Sequence, residues 1–436
     1  MPYALIWVYL IPAIVLVGGM VLWRSHQARR AARALLDAEQ SGLTEPASLH
    51  PLIQPAQCIG CGACVKACPE GDVLGLIQGK AHLVNPSDCI GHGACASACP
   101  VGAIELVFGS SKRGVDIPVV SPAFESTQPG IYIAGELGGM GLIRNAVEQG
   151  RQAMEAIGAS LSGRSPEGQD ADVVIIGAGP AGISASLQAR LSGIRAITLE
   201  QETLGGTVAH FPKGKIVMTQ PMVLPGEGRI NLREVSKEAL LALWKRVIDS
   251  HDLDIRYGQR VTAIERCPDG FQVMTQSGEC FRAPRILLAI GRRGTPRKLG
   301  IPGEALNHVV YRLADPEQYA GQRVLVVGGG DSALEAACSI AEVPDTTVTL
   351  CYRGEAFTRA KRKNRERVSR MQAQGRLSVR FRTQPEAIEP GRVWLISDGQ
   401  REALDNDAVI ICAGGILPFD FLRRLGLQVE TKYGTA

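Results

Sequence analysis

The sequence predicts an α/β protein with two Rossmann-like domains, a small α+β domain and an N-terminal transmembrane helix. Glycine-rich turns at 177–182 and 328–333 each follow a short apolar run and precede a helical pattern, as in nucleotide-binding βαβ units. A cluster of cysteines lies between residues 58 and 99, and residues 3–23 carry no charge. These features indicate a chain of several functional segments.

The predicted boundaries follow the changes in composition along the chain. They are a transmembrane helix over 1–24, a stalk or linker over 25–50, the cysteine-rich domain over 51–109, a separate strand and helix segment over 115–160, and the two Rossmann-like domains over 171–300 and 301–436.

Composition narrows the class of protein. A formal net charge of +4 and an aromatic content of 5% are not typical of nucleic-acid-binding proteins, so no nucleic acid partner is expected. The cysteines after residue 99 are scattered through apparent strands and helices, where a buried small hydrophobic residue is the default interpretation. No disulfide framework is indicated, which favours a reducing compartment.

The N-terminal stretch is about 30 Å long as a helix, enough to cross the hydrocarbon core of a bilayer. Arg24, Arg29, Arg30 and Arg33 follow it directly. The positive-inside rule then predicts a single-pass protein of the cell inner (plasma) membrane, with the catalytic part cytoplasmic. A buried core helix and a removed signal peptide are the alternatives. No basic region precedes the stretch and no small-residue cleavage site follows it, which disfavours the signal peptide.

Two cysteine runs follow, CIGCGACVKACP from residue 58 and CIGHGACASACP from residue 89. Their spacing is typical of iron–sulfur ligands; a zinc site is the alternative, but zinc does not need this interleaved pattern. Residues 51–109 resemble bacterial two-cluster ferredoxins, which implies two 4Fe-4S clusters. In that family the fourth cysteine of each run serves the other cluster. The resemblance therefore assigns Cys58, Cys61, Cys64 and Cys99 to cluster one, and Cys68, Cys89 and Cys95 to cluster two.

His92 occupies the position of the second cysteine in the second run. Its imidazole is a candidate ligand for cluster two, and the alternatives are a water ligand or a three-iron cluster beside a surface histidine. A neutral imidazole in place of a thiolate removes one negative charge from cluster two. If His92 is a ligand, we expect cluster two to be the more easily reduced cluster.

The first glycine-rich turn has the residue types that a bound dinucleotide requires. Gly177 allows the tight turn, Gly179 lets a pyrophosphate approach the backbone, and Gly182 lets helix and strand pack closely. The phosphates are expected at the helix N-terminus, and an acidic residue after the next strand is expected to accept from a ribose hydroxyl. The candidate residues are Gly177, Gly179, Pro180, Ala181, Gly182 and Glu200.

The surrounding sequence resembles thioredoxin-reductase-like flavoproteins. TQPGIYIAGE from residue 127, with the helical pattern after it, resembles the segment that closes the FAD domain at the C-terminal end of that family. Because this segment precedes the first glycine-rich turn here, within 115–160, we predict a circular permutation in which the strand 130–134 lies in the same sheet as the strand 173–176. The resemblance implies FAD as cofactor, with Gly135, Glu136, Gly206, Thr207 and Gly291 as further candidate ligands.

The second glycine-rich turn, VLVVGGGDSALEAA from residue 324, predicts the NAD(P)H-binding domain. Its candidate ligands are Gly328, Gly330, Asp331 and Ser332. The next strand ends in Tyr352-Arg353, where an NAD enzyme usually has an acid, and Arg353 and Arg359 suit a 2′-phosphate. NADPH is therefore expected over NADH, with a solvated basic helix start as the alternative.

The stretch before this second turn, HVVYRLADPEQYAGQ, has no cysteine, whereas thioredoxin reductases carry a redox Cys-x-x-Cys there. The chain thus resembles the ferredoxin-NADP reductase-like branch. We predict an oxidoreductase that transfers electrons between NAD(P)H and an acceptor through FAD and two iron–sulfur clusters. No catalytic acid or base is singled out, since hydride transfer does not require one.

Candidate partners are a ferredoxin, a quinone or a membrane protein, and a homodimer is expected. One alternative function is a low-molecular-weight disulfide reductase with accessory clusters. The other is a non-enzymatic membrane redox sensor or electron carrier.

Overall fold

The structure is a computed structural model that describes residues 3–40, 43–46, 49–89, 91–111, 114–139, 141–161, 168–218, 221–230, 234–292, 294–358 and 360–434, with side chains from residue 9 onward. It divides into two compact units. The first comprises Met1–Val115 and Lys432–Ala436, and the second comprises Asp116–Thr431.

The first unit begins with one long helix, α1 (Tyr3–Gln40). By length and composition alone, Tyr9–Gln40 is a candidate membrane span, and no residue of its most apolar stretch is buried. Large apolar side chains on it are open to solvent, for example Leu16 (72% exposed) and Leu22 (73% exposed). An apolar surface of this extent indicates a lipid or protein contact.

The second half of α1 packs against the rest of this unit. Every side chain from residue 9 to residue 24 is exposed, and coverage begins at Ser25. Ala31 and Ala38 are buried, and a Cβ built on Gly75 would lie 2.5 Å from the Ala31 Cβ. The predicted stalk is thus helical to Gln40, with one face packed on the folded domain.

The cysteine-rich domain is built from two short antiparallel pairs and two one-turn helices. β1 pairs with β4 and β2 pairs with β3, while α2 and α3 each lie inside one cysteine run. The elements are β1 (His50–Ile53), α2 (Ala63–Ala67), β2 (Leu74–Ile77), β3 (Lys80–Leu83), α3 (Ala94–Ser97) and β4 (Ile104–Val107).

The first part of the second unit has a central sheet of parallel strands in the order β13-β8-β7-β17-β6. A three-stranded antiparallel sheet, β14-β15-β16, accompanies it. The elements are β5 (Val115–Pro118), β6 (Ile131–Ile133), α4 (Ile143–Ser160), β7 (Val173–Ile176), α5 (Pro180–Leu191), β8 (Ala196–Leu199), β9 (Ile216–Met218), β10 (Met222–Leu224), β11 (Gly228–Ile230), β12 (Val235–Ser236), α6 (Lys237–His251), β13 (Ile255–Arg256), β14 (Val261–Cys267), β15 (Gly270–Thr275), β16 (Cys280–Ala283), β17 (Arg285–Leu288) and β18 (Thr295–Pro296).

The segment before the first glycine-rich turn completes this sheet. β6 pairs in parallel with β17, which in turn pairs with β7, so the expected position of the 130–134 strand in the sheet of 173–176 is confirmed. The last strand of the chain pairs with β5, and the Val119 amide donates to the Gln428 carbonyl at 3.0 Å. The strand β28 (Val429–Lys432) therefore lies beside the start of the 115–160 segment.

The second part of this unit repeats the parallel arrangement. Its sheet has the order β19-β26-β20-β21-β22, and β23, β24 and β25 form an antiparallel meander. The elements are β19 (Val309–Val310), β20 (Arg323–Val327), α7 (Asp331–Ala341), β21 (Thr347–Cys351), α8 (Arg362–Ala373), β22 (Leu377–Arg380), β23 (Thr383–Glu389), β24 (Arg392–Ser397), β25 (Gln400–Asp405), β26 (Ala408–Ile411), β27 (Gly415–Ile416), α9 (Phe419–Arg424) and β28 (Val429–Lys432).

Candidate functional site

The first glycine-rich turn lies between β7, which is buried, and the N-terminus of α5. Gly177 has φ +107°, and a Cβ there would lie 2.6 Å from the Ala289 carbonyl oxygen. A Cβ on Gly182 would lie 1.8 Å from the Gly177 carbonyl oxygen. Only glycine fits either position, because each contact is with backbone that cannot move aside.

The middle glycine of the turn has open space in front of it. A Cβ on Gly179 would meet no atom of the described residues within 4 Å. Pro180 is at the first helical position and Ala181 is buried behind it, so the free N–H groups of α5 face this space. The arrangement fits the pyrophosphate of a dinucleotide, which needs both the room and the positive helix end.

Glu200 is at the end of β8 and is 5% exposed. Its Oε2 accepts from the Ala178 amide at 2.8 Å, and its Oε1 accepts from the Glu202 amide at 3.0 Å. Burial raises the pKa of this carboxyl, and the two backbone donors oppose that rise. Glu200 therefore holds the glycine-rich turn in shape, a role that the sequence did not predict.

Two other predicted FAD ligands, Thr207 and Glu136, lie near Gly291. A Cβ built on Gly291 would lie 3.9 Å from Thr207 Oγ1 and 4.0 Å from Glu136 Oε2. The preceding turn residue, Gly206, approaches the Gly179 Cα, which a Cβ on Gly206 would meet at 3.3 Å. One part of the site is thus surrounded by a residue of the 115–160 segment, which precedes the first glycine-rich turn, and by residues that follow that turn.

The helix α4 from the 115–160 segment crosses directly over the start of α5. A Cβ on Gly150 would lie 2.1 Å from the Ala181 carbonyl oxygen, so glycine permits this crossing. The Gln149 side chain accepts from the Gly135 amide at 2.9 Å and fixes the turn that presents Glu136. The segment therefore shapes the phosphate end of the site as well as extending the sheet.

Arg292 belongs to this site, although the sequence did not single it out. The side chain is half-buried, and its Cζ lies 5.5 Å from the centroid of the Phe419 ring. Burial lowers the pKa of the guanidinium, while the charges of Glu136 and Asp116 raise it. Its position directly after Gly291 was the one signal available in the sequence.

The second glycine-rich turn, between β20 and α7, repeats this geometry. Gly328 has φ +147°, and a Cβ there would lie 2.5 Å from the Cys412 carbonyl oxygen. A Cβ on Gly330 would contact nothing within 4 Å in the part of the chain that the structure describes. Ser332 is exposed one residue into the helix. The open space in front of α7 fits a second dinucleotide.

Asp331 is tied to the neighbouring helix. Its Oδ1 accepts from the Lys361 amide at 2.8 Å and from Asn364 Nδ2 at 2.7 Å. The carboxylate thus positions the start of α8, where the basic residues of this domain lie.

The residues after β21 form the far edge of this second site. The Tyr352 ring packs over Gly329, whose Cβ would lie 2.5 Å from it, and stacks on Phe357 at 5.9 Å between centroids. Arg353 is exposed beside it. Arg359, the other predicted 2′-phosphate ligand, lies outside the described residues.

The cysteines form two pockets, which we name cradle one and cradle two. Cradle one is lined by Cys58, Cys61, Cys64 and Cys99, and cradle two by Cys68, Cys89, Cys95 and His92. This grouping corresponds to the interleaved assignment expected from the sequence. The empty space in the two pockets, including solvent at their open mouths, is about 310 and 340 Å³, so cradle two with its His92 is not the smaller of the two.

Backbone amides point at the sulfur atoms of cradle one. Ala81 donates to Cys58 Sγ at 3.4 Å, and Ala103 donates to Cys99 Sγ at 3.3 Å. Such donors stabilise a negatively charged thiolate–iron cluster.

Burial raises the pKa values of the thiols of cradle two. For Cys89 the value rises to about 11, opposed by the Gly91 amide and increased by the nearby thiols and the Glu70 carboxylate. The same burial raises the pKa of Cys68 and Cys95. Binding iron must therefore displace these protons.

Both cradles fit iron–sulfur clusters by their donor sets. Among the described residues, no three His, Cys, Asp or Glu side chains converge as a site for one metal ion. The thiols instead surround a space, with amides directed at them, which suits a cluster of several iron atoms.

Two regions of the chain match known families. Residues 174–435 match the family described as pyridine nucleotide-disulphide oxidoreductase, and residues 50–100 match the 4Fe-4S dicluster domain.

Individual relatives agree with these matches. A ferredoxin–NADP reductase from Ignicoccus hospitalis is 32% identical over 60% of this chain and 83% of its own length. The ferredoxin–NADP reductase from Paracidovorax citrulli is 31% identical over 60% of this chain and 76% of its own length. Among solved structures, bacillithiol disulfide reductase Bdr from Staphylococcus aureus has a TM-score of 0.53 at 21% identity, covering 60% of this chain and 81% of that one. The structural likeness concerns the fold.

Proposed function

The chain belongs to the pyridine nucleotide-disulphide oxidoreductases and is an FAD-dependent oxidoreductase with a 4Fe-4S domain, and from this premise we propose that it moves electrons between NADPH and an electron acceptor through FAD and two clusters. The observation that carries the proposal is that one chain has two glycine-rich turns that fit a dinucleotide and two thiol-lined cradles. When bound, FAD exchanges electron pairs with a nicotinamide and single electrons with clusters.

Two of the three cysteines in the nicotinamide-binding half favour this route over disulfide chemistry. Cys338 and Cys351 are buried in the core of that half, and burial raises their pKa values to about 11 and about 12. A buried neutral thiol is a poor nucleophile. We therefore expect electrons to pass from the flavin to the clusters and not to a disulfide. A ferredoxin, a quinone or a membrane protein is the proposed final acceptor.

The direct test is anaerobic stopped-flow mixing with NADPH or NADH, following the flavin and cluster absorbance bands separately. We expect flavin bleaching followed by cluster reduction within one turnover. Fast NADPH oxidation by a small disulfide while the clusters stay oxidised would contradict the proposal and favour a disulfide reductase. Flavin that neither nucleotide bleaches would favour a redox sensor.

Preference for NADPH is proposed to depend on Arg353. Loss of a charged hydrogen bond to a 2′-phosphate costs about 1.5–3 kcal/mol, so Arg353→Gln should raise the KM for NADPH about ten-fold or more. The KM for NADH should not change. Lys363→Gln, at an exposed position on α8, is the matched control and should leave both values unchanged.

We propose that the flavin domain is circularly permuted. The pairing of β6 with β17 and of β28 with β5 supports this, because the chain end lies beside the start of the displaced segment. A reordered chain in which 115–160 follows residue 434 through a short linker should still bind FAD. Failure of that chain to bind flavin, with the unaltered order binding normally, would count against the permutation.

We also propose that α1 anchors the protein in the inner (plasma) membrane with the redox domains cytoplasmic. The exposed apolar side chains up to Trp23 and the arginines after them support the proposal. Deleting residues 1–25 should release a soluble protein whose flavin is still bleached by NADPH. Loss of flavin on this deletion would instead indicate that the helix is part of the folded core.

A further inference from the structure

The two cysteine runs are repeats that differ at few positions. Aligned from Cys58 and from Cys89, residues 58–71 and 89–102 agree except at four places. The differing pairs are Cys61 and His92, Val65 and Ala96, Lys66 and Ser97, and Glu70 and Val101.

Two of these differences meet in the same cradle. Cys61 and Val101 line cradle one, whereas the corresponding His92 and Glu70 line cradle two. Cradle one therefore has a cysteine and a valine at these two positions. Cradle two has a histidine and a glutamate. The substitutions are far apart in sequence but adjacent in space.

The contact between the pair is direct and sheltered. His92 Nε2 lies 3.6 Å from Glu70 Oε1, and the two side chains are only 12% and 34% exposed. This separation is an ion-pair distance, longer than a hydrogen bond. A carboxylate on the Nε2 side of the ring is the arrangement commonly found around metal-bound histidines.

We propose that Glu70 is a positioning residue for cluster two: its carboxylate orients the His92 imidazole as a ligand of the cluster. The inference rests on the proposed function in one respect, the presence of a cluster in cradle two. Metal-bound histidines commonly direct their second nitrogen at a carboxylate, which fixes the ring and increases its basicity. Glu70 also places a negative charge beside His92, where a thiolate ligand would have supplied one.

The main experiment uses the full-length protein, prepared anaerobically and reduced with dithionite so that it does not depend on NADPH. Iron content, the potentials of both clusters and the ¹⁴N hyperfine coupling of cluster two are measured in unaltered protein, His92→Ala, Glu70→Gln and Glu70→Asp. We expect nitrogen coupling in unaltered protein and its loss in His92→Ala. Glu70→Gln should shift the potential of cluster two upward, leave cluster one unchanged and weaken retention of the fourth iron under chelator on the order of ten-fold. Glu70→Asp should restore most of the unaltered behaviour.

A double-mutant cycle separates orientation of His92 from a simple charge effect. In a His92→Cys background, Glu70→Gln should have a clearly smaller effect on the potential of cluster two. An equal shift in both backgrounds would overturn the proposal, since the carboxylate would then act without His92. So would a three-iron centre unchanged by His92→Ala, or loss of the fourth iron in Glu70→Gln but not in His92→Ala.

These outcomes are distinct from failure of the proposed function. If NADPH reduces neither flavin nor clusters while the dithionite-reduced protein gives the expected Glu70 and His92 effects, the function fails and the inference stands. If NADPH reduces both clusters but Glu70→Gln changes neither potential nor coupling, the inference fails and the function stands.

Discussion

Cradle one and cradle two have the same frame and different contents. Both have a one-turn helix that follows a left-handed glycine, Gly62 before α2 and Gly93 before α3, and both enclose a space of similar size. Cradle one offers four thiols, whereas cradle two offers three thiols and an imidazole. A repeat can therefore keep its backbone while changing one metal ligand.

The difference also shows where a metal ligand is free to change. The backbone around each cradle is fixed by glycines, and in cradle one also by amide–sulfur contacts, so the frame tolerates little variation. The side chain at the second ligand position shares its pocket with a residue that differs between the runs, Val101 in cradle one and Glu70 in cradle two. Ligand identity and its neighbour can change together without disturbing the frame.

The largest effect is expected from removing a ligand that joins the two runs. Cys99 belongs to the second run by sequence but lines cradle one. Cys99→Ala should abolish cluster one and spare cluster two, and Cys68→Ala should do the reverse. Iron content and the EPR spectrum of the reduced protein report which cluster remains. Cys280→Ala, at an exposed cysteine far along the sequence, is the control and should keep both. Loss of cluster two in Cys99→Ala would refute the interleaved assignment.

Exchanging the ligand type should change potentials while keeping the clusters. His92→Cys adds a negative charge to cluster two, so its potential should fall, on the order of 100 mV, with four irons retained. The mirror substitution Cys61→His should raise the potential of cluster one by a similar amount. Redox titration followed by EPR measures both. If the His92→Cys potential does not move, His92 is not a ligand in the unaltered protein.

Much of this arrangement was predictable because it depends on local pattern. The two glycine-rich turns, the cysteine spacing and the strand at 130–134 each follow from a few neighbouring residues whose backbone requirements are strict. The α/β fold of the family with its iron–sulfur domain, the enzyme class and the pairing of 130–134 with the flavin-half sheet are confirmed. Membrane insertion and the circular permutation stay predictions.

The remaining features depend on contacts between residues far apart in sequence. The crossing at Gly150 and the packing of Ala31 on Gly75 arise only when helices meet other elements. Glu200 was expected to bind ribose, but the structure also uses it to accept from two backbone amides. The proximity of Glu70 and His92 requires the two runs to fold against each other. No single-sequence pattern indicates such pairs.

The first glycine of each run should distinguish the cradles by stability. A Cβ on Gly60 would lie 2.0 Å from the Gly79 carbonyl oxygen, while a Cβ on Gly91 would lie 2.8 Å from the Leu49 carbonyl oxygen. Left-handed backbone and overpacking together predict a cost of about 2–5 kcal/mol for each alanine, greater for Gly60→Ala. Denaturant titration followed by cluster absorbance measures the order. A larger loss in Gly91→Ala would contradict it.

The second glycine of each run should behave alike in both cradles, and its effect should be the smallest. Gly62 and Gly93 have φ of 76° and 73°. An added Cβ would approach only the ends of flexible side chains, Leu76 Cδ1 at 3.3 Å and Leu106 Cδ1 at 3.1 Å. The cost of alanine is then mainly that of the left-handed backbone, about 1–2 kcal/mol at either site. The same titration should give equal losses within error for Gly62→Ala and Gly93→Ala, whereas a clear difference would mean that His92 alters the backbone frame as well as the ligand set.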